Sequence, residues 1–165
     1  MKIFIIGHGR HGKDTVAEFI ERHYGLTFES SSMFCAERVC RPWMERVHAI
    51  TYDSLEECYA DRHNHREAWY NAIMAYNKGD PARLSQEIFT EYDMYVGIRS
   101  REEFLAARDL SDLAIWVDAS DRLHSFDPTC KILKSDCDII LDNNGTLEEQ
   151  GYKITRLFNL YLGDG

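Results

Sequence analysis

No long hydrophobic run occurs in this chain, and that absence removes the membrane classes first. The opening apolar stretch, Ile3-Phe4-Ile5-Ile6, gives way to Gly7 and is too short for a membrane-spanning helix or the apolar part of a secretory signal. No membrane partner is expected, and the expected location is the cytoplasm. Paired cysteines are lacking too. The five present, Cys35, Cys40, Cys58, Cys130 and Cys137, are odd in number and contain no C-x-x-C pair, which points to free thiols in a reducing compartment rather than disulfides or zinc. His63 and His65 stand two apart, a spacing that sends them to different faces of a helix and makes them a poor metal pair. Positive charge is scarce, with 19 Lys and Arg against 28 Asp and Glu and a net charge of -9. Such a surface repels duplex DNA unless a basic groove is built locally, so free nucleotides are the expected ligands and nucleic acid is not. Repeats, linkers and low-complexity tracts are missing, so residues 1–165 read as one domain, long enough to bury a core without staples.

What is present is concentrated at the start. Gly7-His8-Gly9-Arg10-His11-Gly12-Lys13-Asp14-Thr15 follows the apolar run as G-x-x-x-x-G-K with its hydroxyl one residue late, a phosphate-binding P-loop with Asp14 inserted ahead of Thr15. Glycines at 7, 9 and 12 let the backbone curl so that its N–H groups, that of Arg10 among them, point into a concavity, and the following helix adds the positive end of its dipole. Lys13 would reach the β- and γ-phosphates of a nucleotide, and the Thr15 hydroxyl would ligate Mg²⁺. The context the motif requires is met: an apolar strand precedes it, and Val16, Phe19, Ile20 and His23 follow at helical spacing. Asp14 stays open between spacer, metal support and base.

Further along, short apolar runs alternate with helical patterns. Leu26 to Glu29 reads as a second strand running into Ser30, Ser31 and Ser32, which either present side chains to a ligand or cap the next helix. From Met33 to His48 the apolar spacing is helical, and Pro42 predicts a kink or break near Arg41. Asp53 or Ser54 caps a long polar helix to about Asn77. Its charged middle puts Arg62 and Arg66 four apart on one face, either a solvated surface or a clamp for an acceptor phosphate. Trp69, with Tyr70 and Trp43, either stacks on a base or belongs to the core. Asn77-Lys78-Gly79-Asp80 looks like the guanine-reading motif of GTPases but follows a helix, so it reads as a helix end and turn. Met94 to Ile98 is the third strand, with Arg99 at its carboxyl end, where ligands bind in open α/β sheets. Leu113 to Val117 is the fourth strand. Residues 124–136 show no periodicity and read as a short mobile loop. Asp138 to Asp142 is the fifth strand, and Thr146 with Glu149 resembles a capping box for the last helix. The pattern is an α/β fold, a five-stranded parallel sheet with helices on both faces and a helical insert between residues 33 and 92.

Three stretches resemble the P-loop nucleoside monophosphate kinases, and among them the bacteriophage-type deoxynucleoside monophosphate kinases. They are the Gly12-Lys13-Asp14-Thr15 loop end, the Arg99-x-x-x-Glu103 segment after the third strand, and the closing Ile139 to Glu149 turn with Asn143, Gly145 and Thr146. The resemblance implies a P-loop NTPase three-layer sandwich with acceptor-binding helices over approximately 30–92 and a short lid over approximately 119–136. It implies ATP and Mg²⁺ as cofactors. Gly7, Gly9, Arg10, Gly12, Lys13, Asp14, Thr15, Arg122, Asn143, Gly145 and Thr146 would lie at the donor, and Ser31, Ser32, Arg62, Arg66, Trp69 and Arg99 at the acceptor. Lys13, Asp14 and Arg99 would be catalytic. In one place the likeness fails: Gly97 stands where the family has an Asp, two residues before Arg99, and Asp14 or Asp118 is left to support the metal.

The expected reaction is transfer of the ATP γ-phosphoryl group to a (deoxy)nucleoside monophosphate, which needs positioning and charge stabilisation more than a covalent nucleophile. A kinase acting on a hydroxyl, such as a hydroxymethyl pyrimidine in phage DNA, is the alternative, and a non-catalytic nucleotide sensor is a third. The sequence specifies no oligomeric state, and a homodimer is compatible with it.

Overall fold

The three central apolar runs become strands buried on both faces, while the two edge strands are only partly covered. A computed structural model describes residues 1–124 and 126–162. Among them, β1 (Ile3–Ile6), β2 (Phe28–Ser30), β3 (Met94–Val96), β4 (Leu113–Asp118) and β5 (Ile139–Asp142) form one sheet in the order β2-β3-β1-β4-β5. Every neighbouring pair is parallel. On one face Ile3, Ile5, Val96 and Ile115 pack with Val16, Ala17 and Ile20 of α1 (Lys13–Tyr24). Ile154 and Phe158 of the last helix, α8 (Leu147–Leu162), close the same layer. Phe4, Ile6, Tyr95 and Trp116 point the other way, into a second layer with Phe34, Met44, Leu84 and Phe104. The central strands β1, β3 and β4 therefore read as unbroken apolar runs instead of alternating ones. All four residues of β1 are fully buried, and at ~1.5–3 kcal/mol per large apolar side chain they hold the strand that feeds the P-loop at the centre of the sheet.

The chain between β2 and β3 is helical, as its spacing indicates, but two details differ from the sequence reading. Pro42 does not break the helix. Instead α2 (Ser31–Cys35) continues through a π-helical turn, Ala36–Cys40, into α3 (Arg41–His48), with Pro42 in its first turn. The widened turn accommodates a ring that would clash with a carbonyl four residues back. The predicted helix to Asn77 is two helices, α4 (Leu55–Asp61) and α5 (Arg66–Tyr76), separated by a turn. The Asn64 amide donates to Asp61 Oδ1 at 2.7 Å and the Asn64 N–H to the Asp61 carbonyl at 2.9 Å. These local bonds offer the backbone an alternative to helix continuation. Asn77 ends α5 and its Oδ1 accepts the Leu84 N–H at 3.2 Å, so Asn77 to Asp80 is a turn into α6 (Arg83–Glu91), not a base-reading motif.

α7 (Arg101–Ala107) starts at Ser100, whose hydroxyl accepts the Glu103 N–H at 3.2 Å. The capping box at the start of α8 is present, with Thr146 Oγ1 accepting from the Glu149 N–H at 3.2 Å and Glu149 Oε2 from the Thr146 N–H at 2.7 Å. The loop after β4 is a strap rather than a loose connection. Cys130 and Ile132 are buried against the Trp116 layer, the Lys131 N–H donates to the Arg99 carbonyl at 2.8 Å, and Arg101 pairs bidentately with Asp136 at 2.8 Å. Its fixing contacts join it to residues distant in the chain, which leaves no periodic signature. Ser125, within the stretch expected to form a lid, and residues 163–165 lie outside the described residues. None of the described helices is long and apolar enough to cross a membrane.

Candidate active site

The ends of β1, β3, β4 and β5 emerge at one edge of the sheet, and the residues after them meet there. Gly7 leaves β1 against the backbone of Val117. Gly9 and Arg10 form the turn, with Arg10 exposed and at a φ of 63°. Gly12, at a φ of 92°, opens α1, and a Cβ there would stand 2.4 Å from Asn143 Nδ2. Only glycine meets both conditions. Asp14 and Thr15 are exposed in the first turn of α1. A glycine-rich turn running into a helix N-terminus offers backbone N–H groups and a positive dipole end to an oxyanion.

The far side of the loop is fixed by the turn after β5. Asn143 is buried, donates to the His11 carbonyl at 2.8 Å and accepts from Gln150 Nε2 at 2.7 Å. Arg122 Nε donates to the Asn143 carbonyl at 2.8 Å, which brings its guanidinium beside Gly12. Asn144 Oδ1 accepts the N–H groups of Asp121 and Arg122 at 2.9 and 3.2 Å. His11 Nδ1 accepts the Ala119 N–H at 3.1 Å. The P-loop, the end of β4 and the Asn143 to Thr146 turn are thus one hydrogen-bonded unit. Gly145 is exposed at its rim, and a Cβ there would collide with the Glu149 carboxylate of the capping box.

On the other side, Lys13 Nζ donates to the His8 carbonyl at 2.7 Å. Burial pushes the Lys13 ammonium below its ordinary pKa, and the nearby Arg99 charge pushes the same way, opposed by Asp14 and Asp127 among others. Arg99 Nη1 donates to Thr129 Oγ1 at 2.7 Å and lies 3.4 Å from Asp127 Oδ2. Burial works to raise the Asp127 carboxyl, but hydrogen bonds from Thr129 and the charge of Arg99 outweigh it and hold it below the usual range. Asp127 is therefore ionised at neutral pH. Two cations from different strand ends and one carboxylate face the mouth of the loop.

Several sequence-predicted acceptor residues are not brought there. Arg62 and Arg66 do not share a helix face, because the turn between α4 and α5 separates them. Arg62 stacks 3.8 Å over the Tyr59 ring and donates to the Tyr59 carbonyl at 2.7 Å, while Arg66 is exposed at the head of α5. Trp69 is only 8% exposed and packs in the core layer with Cys58 and Ala72, so it presents no stacking face. Of the serines, Ser30 takes the capping role, accepting from the Met33 N–H, while Ser31 lies beside Gly97 and Ser32 is half-buried in the first turn of α2. Gly97 sits at a φ of 89°, and a Cβ there would meet Ser31 Oγ at 3.2 Å. The strand-end position thus excludes an unstrained Asp. Asp118 does not take its place, since it is tied to Lys134. Among the described residues no cluster of three or more His, Cys, Asp or Glu is arranged to hold a metal. The oxygen groups present, Thr15 and Asp14, suit Mg²⁺, which keeps several waters and takes most of its other ligands from substrate phosphates.

Sequence reasoning missed His8, Asp127 and Thr129. His8 lies between His11, Trp116 and Phe126, with ring centroids 5.5, 5.3 and 5.1 Å away. Its Nδ1 accepts the Asp127 N–H at 3.2 Å. The one available signal was Asp-Pro-Thr within an unpatterned segment, a turn signature without a partner.

Searches against protein-family models and against curated proteins return no match. Solved structures do match. Shikimate kinase from Aquifex aeolicus aligns over 100% of both chains at a TM-score of 0.50 and 13% identity. The chain shares its fold with shikimate kinase. A gluconokinase from Sinorhizobium meliloti aligns over 99% of this chain and 97% of its own, with a TM-score of 0.49 and 16% identity. A sugar kinase from Janibacter sp. aligns over 96% and 92%, with a TM-score of 0.46 and 15% identity. At these identities the first likeness bears on fold alone.

Proposed function

We propose that this protein is an ATP-dependent phosphotransferase that converts a (deoxy)nucleoside monophosphate to the diphosphate, in the manner of the phage-type kinases its motifs resemble. The observation that carries the reading is the approach of Lys13, at the P-loop, to Arg99, at the end of the adjacent β3. One cation suits the donor and the other the acceptor. Lys13 and the loop N–H groups hold the donor phosphates, and Arg122 with the Asn143 to Thr146 turn flanks them. Arg99 orients the acceptor phosphate. An acceptor phosphate oxygen bonds to Pγ as the bond from Pγ to the β–γ bridging oxygen breaks, and ADP leaves. The acceptor is already ionised near neutral pH, so no general base is needed. Thr15, with Asp14 beside it, would hold Mg²⁺, which supplies charge neutralisation between the β- and γ-phosphates.

A hydroxyl acceptor is the second reading, favoured by two observations. Arg62 and Arg66 do not join Arg99, and Asp14 stands exposed at the head of α1, where a base would be required. Incubation with labelled ATP and a panel of dAMP, dCMP, dGMP, dTMP, modified dUMPs and DNA bearing hydroxymethyl pyrimidines, resolved by anion-exchange chromatography, separates the readings. Diphosphate formation that is lost in Lys13→Ala is expected. Label transferred to hydroxymethyl pyrimidines in DNA, with none on mononucleotides, supports the second reading. Retained ATP binding with no transfer to any acceptor overturns both in favour of a sensor.

A further inference from the structure

The strap after β4 places a carboxylate on the group assigned to the acceptor. The Asp127 side chain is only 17% exposed. Its Oδ2 lies 3.4 Å from Arg99 Nη1, and its Oδ1 accepts from the Thr129 N–H at 3.0 Å and from Thr129 Oγ1 at 2.5 Å. Thr129 Oγ1 in turn accepts from Arg99 Nη1 at 2.7 Å. The backbone N–H of Asp127 donates to His8 Nδ1 at 3.2 Å, which ties the same residue to the P-loop. Arg99 thus carries a carboxylate oxygen and a hydroxyl, both presented by one short turn.

We propose that Asp127 is a specificity-determining residue: it occupies Arg99 as an internal oxyanion, and a phosphate monoester acceptor binds by exchanging with it. The inference rests on the acceptor role given to Arg99 above. A guanidinium takes a phosphate or a carboxylate in the same forked geometry. A phosphate dianion brings more charge and a third oxygen, so the exchange runs in its favour. A carboxylate acceptor gains nothing over Asp127, and a neutral hydroxyl compound has nothing to exchange. The resident carboxylate therefore selects acceptors that bear a phosphate. The bond from Asp127 to His8 makes the exchange felt at the P-loop, because the turn that lets go of Arg99 is the turn that holds His8.

The test is equilibrium binding, with no need of turnover. Inorganic phosphate and dTMP are titrated calorimetrically into the wild type, Asp127→Asn, Arg99→Ala and the double variant. Asp127→Asn keeps the side-chain shape and removes the charge, and both ligands are expected to bind about fivefold tighter, the weight of one partly exposed ion pair. In the Arg99→Ala background the gain should vanish. Unchanged or weaker binding in Asp127→Asn overturns the proposal, as does a gain that persists without Arg99. A gain for inorganic phosphate with none for dTMP overturns it too, because the nucleotide acceptor would then not use Arg99. Should Asp127→Asn melt far below the wild type, Thr129→Val, which loosens the same turn, decides by the same criteria with a smaller gain. If the panel finds no phosphoryl transfer and the binding pattern still holds, the kinase reading fails and the exchange at Arg99 stands as phosphate-monoester binding alone. Transfer with no effect of Asp127 on binding is the reverse.

Discussion

Glu103→Gln is the substitution whose effect follows most directly from the structure. Glu103 lies on the sheet side of α7, 4% exposed, with Oε1 accepting from Ser85 Oγ at 2.8 Å and the Tyr95 hydroxyl at 3.1 Å. Burial pushes its carboxyl from an ordinary 4.5 up to about 7, although hydrogen bonds from Ser85, Tyr95 and Asn77 favour the charged form. At ~1.4 kcal/mol for each pH unit, ionising Glu103 inside the folded chain costs about 3 kcal/mol. A pKa raised on folding means that the folded chain holds a proton which the unfolded chain has released. The stabilisation is therefore complete below about 4.5 and is lost as pH rises through about 7. Glutamine keeps an acceptor for Ser85 and Tyr95 and cannot ionise. Urea unfolding of both proteins from pH 5 to pH 8.5 should show near-equal stability at the acid end. At pH 8.5 the variant should be more stable by roughly 2–3 kcal/mol, which for a chain of this size is about 5–10 °C in Tm. A difference that stays flat across this range, or that grows toward acid, refutes the assignment.

Two further outcomes test the site's framework. Gly97→Asp, which places a carboxylate just beyond β3, should destabilise the fold by ~1–3 kcal/mol in urea and leave Mg²⁺-dependent activity no higher, because it forces a positive φ and crowds Ser31. Asn143→Ala removes the bond to the His11 carbonyl and strands the Gln150 amide. It should cost ~1–3 kcal/mol in thermal melts and weaken ATP binding, whereas an unchanged Tm would mean that the turn does not brace the P-loop.

The features readable in the sequence are those with a local period or a fixed spacing. The glycine spacing of residues 7 to 12 specifies a loop conformation, and the capping box of Thr146 and Glu149 is a contact across three residues. The apolar runs of β1, β3 and β4 each report their own burial. The helical period from 53 to 77 is divided into two helices because a side chain such as Asn64, bonding back to Asp61, competes with the helix through an interaction that periodicity does not weigh. Arg62 and Arg66 looked like a clamp for the same reason. Trp69 fits a core position and a stacking position equally well in sequence, and only its burial in the core layer distinguishes them.

The sequence by itself determined a P-loop, an α/β fold and a cation at the end of β3. The tertiary structure decided what stands around them. Parallel strands return through crossovers, so residues far apart in the chain emerge together at the carboxyl edge of the sheet. That is why Asn143 comes to brace the loop at His11, why Asp127 and Thr129 reach Arg99, and why Glu103, four residues beyond Arg99, is sealed beneath α6. No local pattern marks these meetings, because each depends on the order β2-β3-β1-β4-β5 and on which strand ends that order makes neighbours.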